Sequence, residues 1–362
     1  MRAWAVCKCG EPLEEIELPM PAPVGTQILI EVTHCGVCHS DLHVWDGYYD
    51  LGGGKRLAMA DRGMTYPIAM GHEIVGRVVR LGPDVEGVAI GDLRIVYPWV
   101  GCGTCDACLA EEDNMCQTMR SIGIYQHGGY GTHVLVPHAR HLIDFGHLDP
   151  AVAATYACSG VTVYAAIAKV MPIAPEQPIV LIGAGGLGLS AVAVLRAMGH
   201  SEIVVIDVSE TKRQAALDAG ATKTVDGSGD GVAARVVAAC GGPVRAVIDF
   251  VNGSTTAKFG FDALRKGGKL IQVGLFGGDL TLALPVMATR AMTIQGSFVG
   301  SPKQLRELVA LASEGKLSPI PVELVPQSQA NEALMRLRDG KVSGRIVLRS
   351  QATLLDEVDE VS

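Results

Sequence analysis

The sequence has no surplus of basic charge, no uninterrupted apolar stretch long enough to cross a bilayer, and no internal repeat. Its 30 Lys and Arg residues are outnumbered by 38 Asp and Glu residues, giving a formal net charge of -8. A nucleic-acid-binding protein normally presents a basic face, so we expect no nucleic-acid partner. The most apolar stretch, residues 151–170, is interrupted by Thr155, Ser159 and Lys169, which favours a buried helix over a membrane span.

The N-terminus also lacks the features of a secretory signal. The stretch MRAWAVCKCGEPLEEIELP has no apolar central segment and is typical of a short strand followed by a turn. We therefore expect a cytoplasmic protein. Hydrophobic residues make up 48% of the 362 residues and charged residues 19%, a globular composition with material for two domains.

The pattern of predicted elements changes near residue 160. Before it, β-branched runs such as HEIVGRVVRLG are punctuated by Gly and Pro, which indicates short strands in an irregular β domain. After it, strands such as PIVLIG alternate with helices such as LSAVAVLRAMG, which indicates βαβ units and a parallel sheet. From about residue 296 we expect two helices, a final strand GRIVLR and, after Ser350, an acidic frayed tail, with a short helix as the alternative for that tail.

A glycine-rich turn between a predicted strand and a predicted helix carries the first functional motif. Gly183, Gly185 and Gly188 have G-x-G-x-x-G spacing, and Asp207 ends the following strand, 19 residues after Gly188. In this context the motif is the fingerprint of a dinucleotide site. The glycines let backbone N–H groups approach a pyrophosphate at the positive end of the helix. The alternative is a plain glycine-rich turn without a ligand.

The acidic residue of this motif predicts which dinucleotide binds. Asp207 can accept hydrogen bonds from ribose hydroxyls and would repel a 2′-phosphate, so we predict NAD over NADP. Lys212 and Arg213 lie close by in the sequence and could soften that preference.

Four of the ten cysteines form a compact metal-binding pattern. Cys102, Cys105, Cys108 and Cys116 have the spacing C-x2-C-x2-C-x7-C, and four thiolates in one loop can surround a structural zinc tetrahedrally. The alternative is an iron–sulfur cluster. In bacterial ferredoxins the fourth cysteine follows sooner and precedes proline, whereas here Gln117 follows the fourth.

Three further segments concentrate Cys, His, Ser and Asp residues: HCGVCHSDLH at 34–43, GHE at 71–73 and YACSGVTVY at 156–164. No short spacing rule unites them, and a lone His72 or Cys158 is more often a buried residue than a ligand. The cysteines outside any ligand pattern are interpreted as small buried hydrophobic residues, namely Cys7, Cys9, Cys35 and Cys240.

In combination and in this order, the motifs resemble the zinc-containing medium-chain alcohol dehydrogenases. The resemblance rests on GVCHSDLH, GHEIVG, the four-cysteine lobe, ACSGVTVY, GAGGLG with its acidic partner, and SGRIVL, and it covers about residues 1–349. It implies an α/β fold with an irregular, β-rich, GroES-like catalytic domain, residues 1–158 and 296–362. A Rossmann doubly wound parallel sheet, residues 159–295, would bind NAD. The resemblance also implies a homotetramer, with a dimer as the alternative.

The resemblance assigns metal-site roles to individual residues. It implies that Cys38, His72 and Cys158 bind a catalytic zinc with an open fourth position, in addition to the structural zinc of the lobe. Asp41 would orient the ligand imidazole. Glu73 would be able to approach the metal as an alternate ligand.

The resemblance further implies a proton relay and a cofactor cleft. Ser40 would take the alcohol proton and His43 would form the outer end of the relay. The cofactor-binding residues implied by the resemblance and the glycine motif are His39, Thr162, Gly183, Gly185, Gly186, Leu187, Gly188, Asp207, Lys212, Val273, Gly274, Leu275, Ser297, Val299 and Arg345.

The substrate pocket is less clearly marked. Trp45 and Trp99 fall where pocket walls lie in the family, although either could be an ordinary core aromatic. The segment at 48–66 is longer than in the simplest members, and we expect it to form a loop at the pocket mouth. Ser40 leaves room beside the metal for secondary alcohols.

The expected reaction is reversible hydride transfer between an alcohol and NAD, which yields an aldehyde or ketone. One alternative is a zinc polyol or hydroxy-acid dehydrogenase on the same scaffold. Another is a zinc-free quinone or enone reductase, which would have no use for seven metal-binding residues. The third is a non-catalytic cofactor-binding protein, which would not need the relay of Ser40 and His43.

Overall fold

A six-stranded parallel sheet forms the middle of the chain in the computed structural model, which describes residues 1–350. Every strand pair in this sheet is parallel, and the strand order diverges on both sides of the first strand, as in doubly wound folds. The predicted Rossmann sheet is therefore confirmed. In spatial order its strands are Lys223–Asp226, Ile203–Asp207, Ile179–Ile182, Val244–Asp249, Leu264–Gln272 and Thr293–Gly296.

Helices connect these strands. Four elements that the sequence did not predict belong here: the edge strand Lys223–Asp226, the helices Val232–Cys240 and Leu284–Thr289, and the edge strand Thr293–Gly296. Val225 is the one buried residue of the first strand and no residue of the second is buried, so neither strand carries an alternating apolar pattern. The helices of this unit are Gly186–Ala197, Glu210–Asp218, Val232–Cys240, Ser254–Asp262 and Leu284–Thr289.

A seven-stranded, mainly antiparallel sheet takes strands from both ends of the chain. Its central strand, Ile28–Gly36, is almost entirely buried and pairs with Glu73–Leu81 on one side and Arg345–Arg349 on the other. The two ends of the described chain therefore form one β-rich unit. The other strands are Leu142–Ile143, Leu93–Val96, His133–Val136 and Val322–Pro326.

One helical stretch, Pro150–Val170, runs between the two units. It begins at Asp149, whose carboxylate accepts hydrogen bonds from the backbone N–H groups of the first turn. This is the one stretch in residues 1–350 long and apolar enough to cross a bilayer, but 83% of its most apolar window is buried inside the protein. Such burial is typical of a core helix. The stretch continues through residues 158 and 159, where the domain boundary was placed.

The segment at 48–66 is not a plain loop. It contains a hairpin, Tyr48–Asp50 paired with Arg56–Ala58, and a 3-10 turn, Ala60–Arg62. The hairpin tip reaches the parallel-sheet unit, because a Cβ on Gly52 would lie 2.7 Å from the backbone of Gly278. This backbone-to-backbone approach explains the glycine at position 52. The remaining elements are the strands Arg2–Val6, Glu14–Glu17 and Ile68–Ala69, the helices His39–Asp46, Asp106–Leu109, Pro302–Ser313 and Ala330–Arg338, and the 3-10 turns Asp113–Met115, Ala139–His141 and Gln327–Gln329.

The interpretation of four cysteines as buried hydrophobic residues is correct only for Cys35. Cys9 is exposed, and Cys7 and Cys240 are partly exposed. Cys9 lies in the turn after the first strand, and Cys240 ends its helix, so both side chains meet solvent. The acidic tail predicted after Ser350 lies outside the described residues.

Candidate metal and cofactor site

Strand pairing brings together two cluster residues that are distant in sequence. Gly36, at the end of the central strand, is paired with Glu73, at the start of its neighbour. Cys38 follows the strand that ends at Gly36, and His72 precedes the strand that begins at Glu73. Both residues therefore lie at the same edge of the sheet. A side chain at Gly36 would collide with the Glu73 carboxylate, which explains the glycine.

Cys158 reaches the same place from a π-helical segment, Tyr156–Gly160, within the long helical stretch. Such π-bulges widen a helix locally and are frequent at functional sites. The Ser159 hydroxyl donates to the carbonyl of Thr155 at 2.8 Å, and the Ser159 backbone N–H donates to Oε1 of Glu73 at 3.1 Å. These bonds fix the turn that presents the Cys158 thiol.

The three side chains form a buried donor cluster. The ligand atoms of Cys38, His72 and Cys158 all lie within 4.8 Å of one another, and the two sulfurs are 3.9 Å apart. Tetrahedral coordination with zinc–sulfur bonds of about 2.3 Å would separate two sulfurs by about 3.8 Å. Nε2 of His72 is buried and has no hydrogen-bond partner in the described chain. Hydrogen bonding from the Cys158 thiol lowers the pKa of Cys38 well below its usual range, although burial opposes this. The donors therefore fit a zinc ion.

Asp41 holds the imidazole in place. Its fully buried carboxylate lies 3.2 Å from Nδ1 of His72. It also accepts hydrogen bonds from the backbone N–H groups of Cys38 and Gly71 and from the Tyr130 hydroxyl. With Nδ1 close to this carboxylate, Nε2 is the ring nitrogen left for a metal.

Glu73 and Arg345 connect the donor cluster to the glycine-rich turn. Arg345 forms a buried ion pair with Oε2 of Glu73 at 2.5 Å. Burial raises the pKa of Glu73 to about 7, and the Arg345 charge opposes this rise. A Cβ on Gly186 would lie 2.7 Å from the Arg345 side chain, so the arginine also lies against the first turn of the Rossmann helix. The cluster and the dinucleotide motif therefore face one cleft.

The glycine-rich turn has the backbone geometry that the motif predicts. Gly183 has φ +98°, a conformation that favours glycine, and a side chain at Gly188 would collide with the Gly183 carbonyl. Gly185 is the N-cap residue of the helix, and the space beside it is open, as is needed for an approaching pyrophosphate. Gly186 and Leu187 form the first helical turn.

Asp207 lies at this turn. Its carboxylate accepts hydrogen bonds from the backbone N–H groups of Ala184 and Ser209. The Arg213 guanidinium is held by the carbonyls of Asp207 and Val208. The Lys212 side chain points elsewhere. Its Nζ would lie 3.9 Å from a Cβ built on Gly340, in the turn after the last helix.

Two buried hydroxyls and a strained backbone occur on the helical stretch that carries Cys158 and in residues 297–299. Thr162 and Ser297 are buried, and neither hydroxyl has a hydrogen-bond partner among residues 1–350. Val299 has φ +40°, a genuine outlier for a β-branched residue, and such strain clusters at ligand sites. Gly274 packs against the carbonyls of residues 250 and 251, and of its neighbours Val273 is partly buried and Leu275 exposed.

The first turns of the helix His39–Asp46 place three polar residues next to Cys38. His39 is exposed, Ser40 is half-buried, and His43 packs its ring against Tyr49 with 4.9 Å between ring centroids. All three therefore lie beside the donor cluster and partly accessible to solvent.

The two tryptophans proposed as pocket walls have different surroundings. The Trp99 ring lies 5.4 Å from the His72 ring and 5.8 Å from Phe298, and its indole N–H donates to Ala157. Trp99 therefore forms a wall of the donor cluster. The Trp45 indole instead donates to the carbonyl of residue 11 and lies beneath the guanidinium of residue 338, contacts typical of a structural aromatic.

The four-cysteine lobe forms a second donor cluster. The sulfurs of Cys102, Cys105, Cys108 and Cys116 lie within 4.8 Å of one another, which fits a closed tetrahedral shell. Asn114, within this lobe, donates its side-chain N–H to the carbonyl of residue 298 at 3.1 Å. The lobe is thus tied to the segment that packs on Trp99.

Three residues near the site were not predicted from the sequence: Tyr49, Asn114 and Ser159. Ser159 lies within a quoted motif, where its role depends on a π-helical turn that the pattern does not reveal. The other two reach the site only through tertiary contacts, so no local spacing could have identified them.

Comparison with known proteins gives the same assignment over 96% of the chain. Residues 25–145 match the model of the alcohol dehydrogenase GroES-like domain, and residues 186–314 match the model of the zinc-binding dehydrogenases. Two relatives are each 36% identical to this chain, over 96% of its length and 99% of their own. They are the NAD-dependent alcohol dehydrogenases from Sulfurisphaera tokodaii and Saccharolobus solfataricus.

A solved structure extends this likeness to three dimensions. The alcohol dehydrogenase of the archaeon Aeropyrum pernix superposes with a TM-score of 0.87 at 31% identity, over 96% of this chain and 100% of that one. Sequence, fold and donor clusters agree, and the chain belongs to the zinc-containing medium-chain alcohol dehydrogenase family.

Proposed function

We propose that Cys38, His72 and Cys158 hold the catalytic zinc of an NAD-dependent alcohol dehydrogenase. The observation that carries this proposal is the convergence of two thiols and one imidazole, from three distant segments, within 4.8 Å. Three protein ligands leave one position of a tetrahedral zinc open for substrate. We assign a second, structural zinc to Cys102, Cys105, Cys108 and Cys116.

Each residue around the first cluster has a definite task in this reaction. A zinc ion in the cluster supplies Lewis-acid chemistry, which lowers the pKa of the alcohol. Asp41 orients the ligand imidazole, and Trp99 shields it from water. Ser40 accepts the alcohol proton and His43 passes it to solvent. Glu73, held by Arg345 in this conformation, is the alternate ligand.

We place NAD along the cleft from the glycine-rich turn to the donor cluster. The backbone N–H groups at the helix start would bind the pyrophosphate, with His39 and Arg345 contributing positive charge. Asp207 would bind the adenine ribose, near Lys212. The unpartnered hydroxyl of Thr162 supports a nicotinamide nearby. The other residues of the nicotinamide pocket are Val273, Gly274, Leu275, Ser297 and Val299.

A substrate panel tests this function directly. Purified protein is offered primary and secondary alcohols with NAD or NADP at fixed pH, and its metal content is measured by mass spectrometry. We expect reduction of NAD, a clear preference for NAD over NADP because of Asp207, and close to two zinc ions per chain. Full turnover by protein without metal in the first cluster would contradict the proposal, and equal efficiency with both dinucleotides would remove the NAD assignment.

The relay predicts a distinctive pH dependence for His43→Ala. Burial lowers the pKa of His43 below its usual 6.5, so its imidazole stays neutral and able to accept a proton down to that lowered value. The variant should oxidise alcohols about tenfold more slowly between that pKa and neutral pH, with less loss at alkaline pH where hydroxide accepts the proton.

Steady-state rates across the pH range, compared with the exposed-site control His147→Ala, test this relay. A variant whose pH profile matches that of the unmodified enzyme would show that the proton leaves by another route.

The remaining assignments concern domains and assembly. We propose a catalytic domain of residues 1–158 and 296–362, an NAD-binding domain of residues 159–295, and a cytoplasmic homotetramer or dimer. The edge strand Thr293–Gly296 supports assembly by sheet extension, because it pairs on one side only within the described chain. Light scattering would measure the oligomeric state.

A further inference from the structure

Residues 297–300, which we call the cleft segment, connect the edge strand of the parallel sheet to the helix Pro302–Ser313. The backbone N–H of Ser297 donates to the carbonyl of Gln272 at 2.9 Å, so the segment begins at the carboxyl end of a parallel strand. Ligands of doubly wound sheets bind outside this end of the strands. Ser301, directly after the segment, caps the following helix with its hydroxyl. Both ends of the cleft segment are therefore fixed to regular elements.

Val299, within the cleft segment, has an unfavourable backbone conformation. Its φ is +40°, a left-handed value that is an outlier for a β-branched residue, because the Cβ atom crowds the backbone. Glycine adopts such a conformation without this cost. A strained residue of this kind persists only where its surroundings determine its conformation, so contacts from other segments must hold Val299 in place.

Two side chains from outside the parallel-sheet unit hold the carbonyls on either side of Val299. The Tyr97 hydroxyl donates to the carbonyl of Gly300 at 2.7 Å. The Asn114 side-chain N–H donates to the carbonyl of Phe298 at 3.1 Å. Tyr97 is fully buried, so water cannot replace its hydroxyl at the Gly300 carbonyl. The two bonds fix the peptide groups that flank the strained residue and oppose its relaxation.

The cleft segment lies against the helical turn that follows Cys158. A Cβ on Gly300 would lie 2.6 Å from the Val161 side chain, so the backbone of the segment touches this turn. The next residue, Thr162, has a buried hydroxyl without a hydrogen-bond partner among residues 1–350, and the same is true of Ser297. Buried polar groups are normally hydrogen-bonded, so these two hydroxyls indicate that a polar ligand group binds beside the segment.

We propose that Tyr97 and Asn114 are positioning residues for the cofactor, which hold the strained cleft segment in the conformation that receives the nicotinamide. This inference rests on the proposed function, which places the nicotinamide beside residues 297–299. Both side chains act through the backbone of the segment. Without either bond the segment would relax in the free protein, and only the fraction of molecules in the strained conformation would bind NAD. The apparent dissociation constant rises by the reciprocal of that fraction.

Titration of the zinc-loaded protein with NAD measures this effect without a substrate. Calorimetry gives the dissociation constant, and mass spectrometry gives the zinc content of the same preparation. Tyr97→Phe removes one buried hydroxyl and keeps the ring, so the dissociation constant for NAD should rise by about tenfold, as expected for the loss of one buried hydrogen bond. Asn114→Leu should change it in the same direction. Both variants should keep their zinc and a nearly unchanged kcat, because bound NAD selects the strained conformation.

Rescue by glycine separates positioning from an ordinary loss of stability. In the Val299→Gly background the segment contains no strained residue, so Tyr97→Phe should change the dissociation constant by no more than about twofold. Val299→Ala is the matched control, because alanine keeps a Cβ, and Tyr97→Phe should still weaken binding several-fold in that background. Thr33→Val removes another buried hydroxyl, which donates to the carbonyl of Val75 at 3.0 Å, and should leave NAD binding unchanged.

The outcomes distinguish this inference from the proposed function. An unchanged dissociation constant in Tyr97→Phe would overturn the inference, as would equal losses of affinity in the Val299→Gly and unmodified backgrounds. Loss of zinc together with NAD affinity in both variants would also overturn it, because the effect would then belong to the metal sites. In each of these cases the unmodified protein still oxidises alcohols. If it binds NAD but oxidises no alcohol, the proposed function fails and the dissociation constants still decide the inference.

Discussion

His72→Ala should lower kcat/KM for alcohol oxidation by at least about a thousandfold, because the variant loses the one nitrogen ligand of the first cluster. The remaining thiols of Cys38 and Cys158 cannot hold a zinc ion in the same tetrahedral geometry. We expect the zinc content to fall from two ions per chain to one. Steady-state kinetics and metal analysis on the same preparation measure both effects.

The surroundings of His72 explain why the variant should remain folded. The Asp41 carboxylate keeps three other hydrogen-bond donors after the imidazole is removed, namely the N–H groups of Cys38 and Gly71 and the Tyr130 hydroxyl. These three donors partly offset the loss of the imidazole, so we expect the variant to lose stability and still fold.

A matched control removes another buried imidazole. His200 is buried within the parallel-sheet unit and bonds to the carbonyl of Gln177. His200→Ala should keep both zinc ions and its activity, apart from a loss of stability. If His72→Ala retained two zinc ions and near-normal turnover, the catalytic centre would have to lie elsewhere.

The fold could largely be predicted from local patterns. The alternation of apolar strands and helices after residue 160 marks the Rossmann unit, because strands such as Ile179–Ile182 are buried on both faces. The edge strand Lys223–Asp226 was not predicted, because it buries a single side chain and so shows no apolar run. Apolar patterns therefore locate the centre of the sheet better than its edge.

The donor cluster could not be predicted from spacing. The four cysteines of the lobe lie within 15 residues, and their geometry follows from the chain itself. Cys38, His72 and Cys158 meet only because Gly36 pairs with Glu73 and a π-helical turn presents the third ligand. Resemblance to a family supplied what local patterns could not.

Some residues could not be assigned from sequence patterns or from the resemblance, and for these the tertiary contacts in the structure give the assignment. Trp45 and Trp99 were equivalent as candidate pocket walls, but only Trp99 packs on His72. The segment at 48–66 was expected to be a loop, and its hairpin brings Tyr49 onto His43. Such contacts join residues from separate segments, so they depend on the folded chain.

Cys105→Ser should have the second large effect, on stability. Serine cannot supply the thiolate that closes the shell of the lobe, so the variant should lose the structural zinc. Loss of a structural metal is among the few single changes that cost more than about 4 kcal/mol, which would lower Tm by about 10 °C in a chain of this kind. Differential scanning calorimetry with metal analysis measures both losses.

The lobe should also affect catalysis, although its sulfurs lie apart from the donor cluster. Asn114 holds the backbone of Phe298, and the Phe298 ring packs against Trp99 beside His72. A lobe that unfolds locally releases this wall, so KM for alcohols should rise in Cys105→Ser while the catalytic zinc stays bound. Cys240→Ser, a partly exposed thiol outside both clusters, should leave zinc content, Tm and KM nearly unchanged. A lobe variant that kept both zinc ions and its Tm would mean that these four thiols form no metal site.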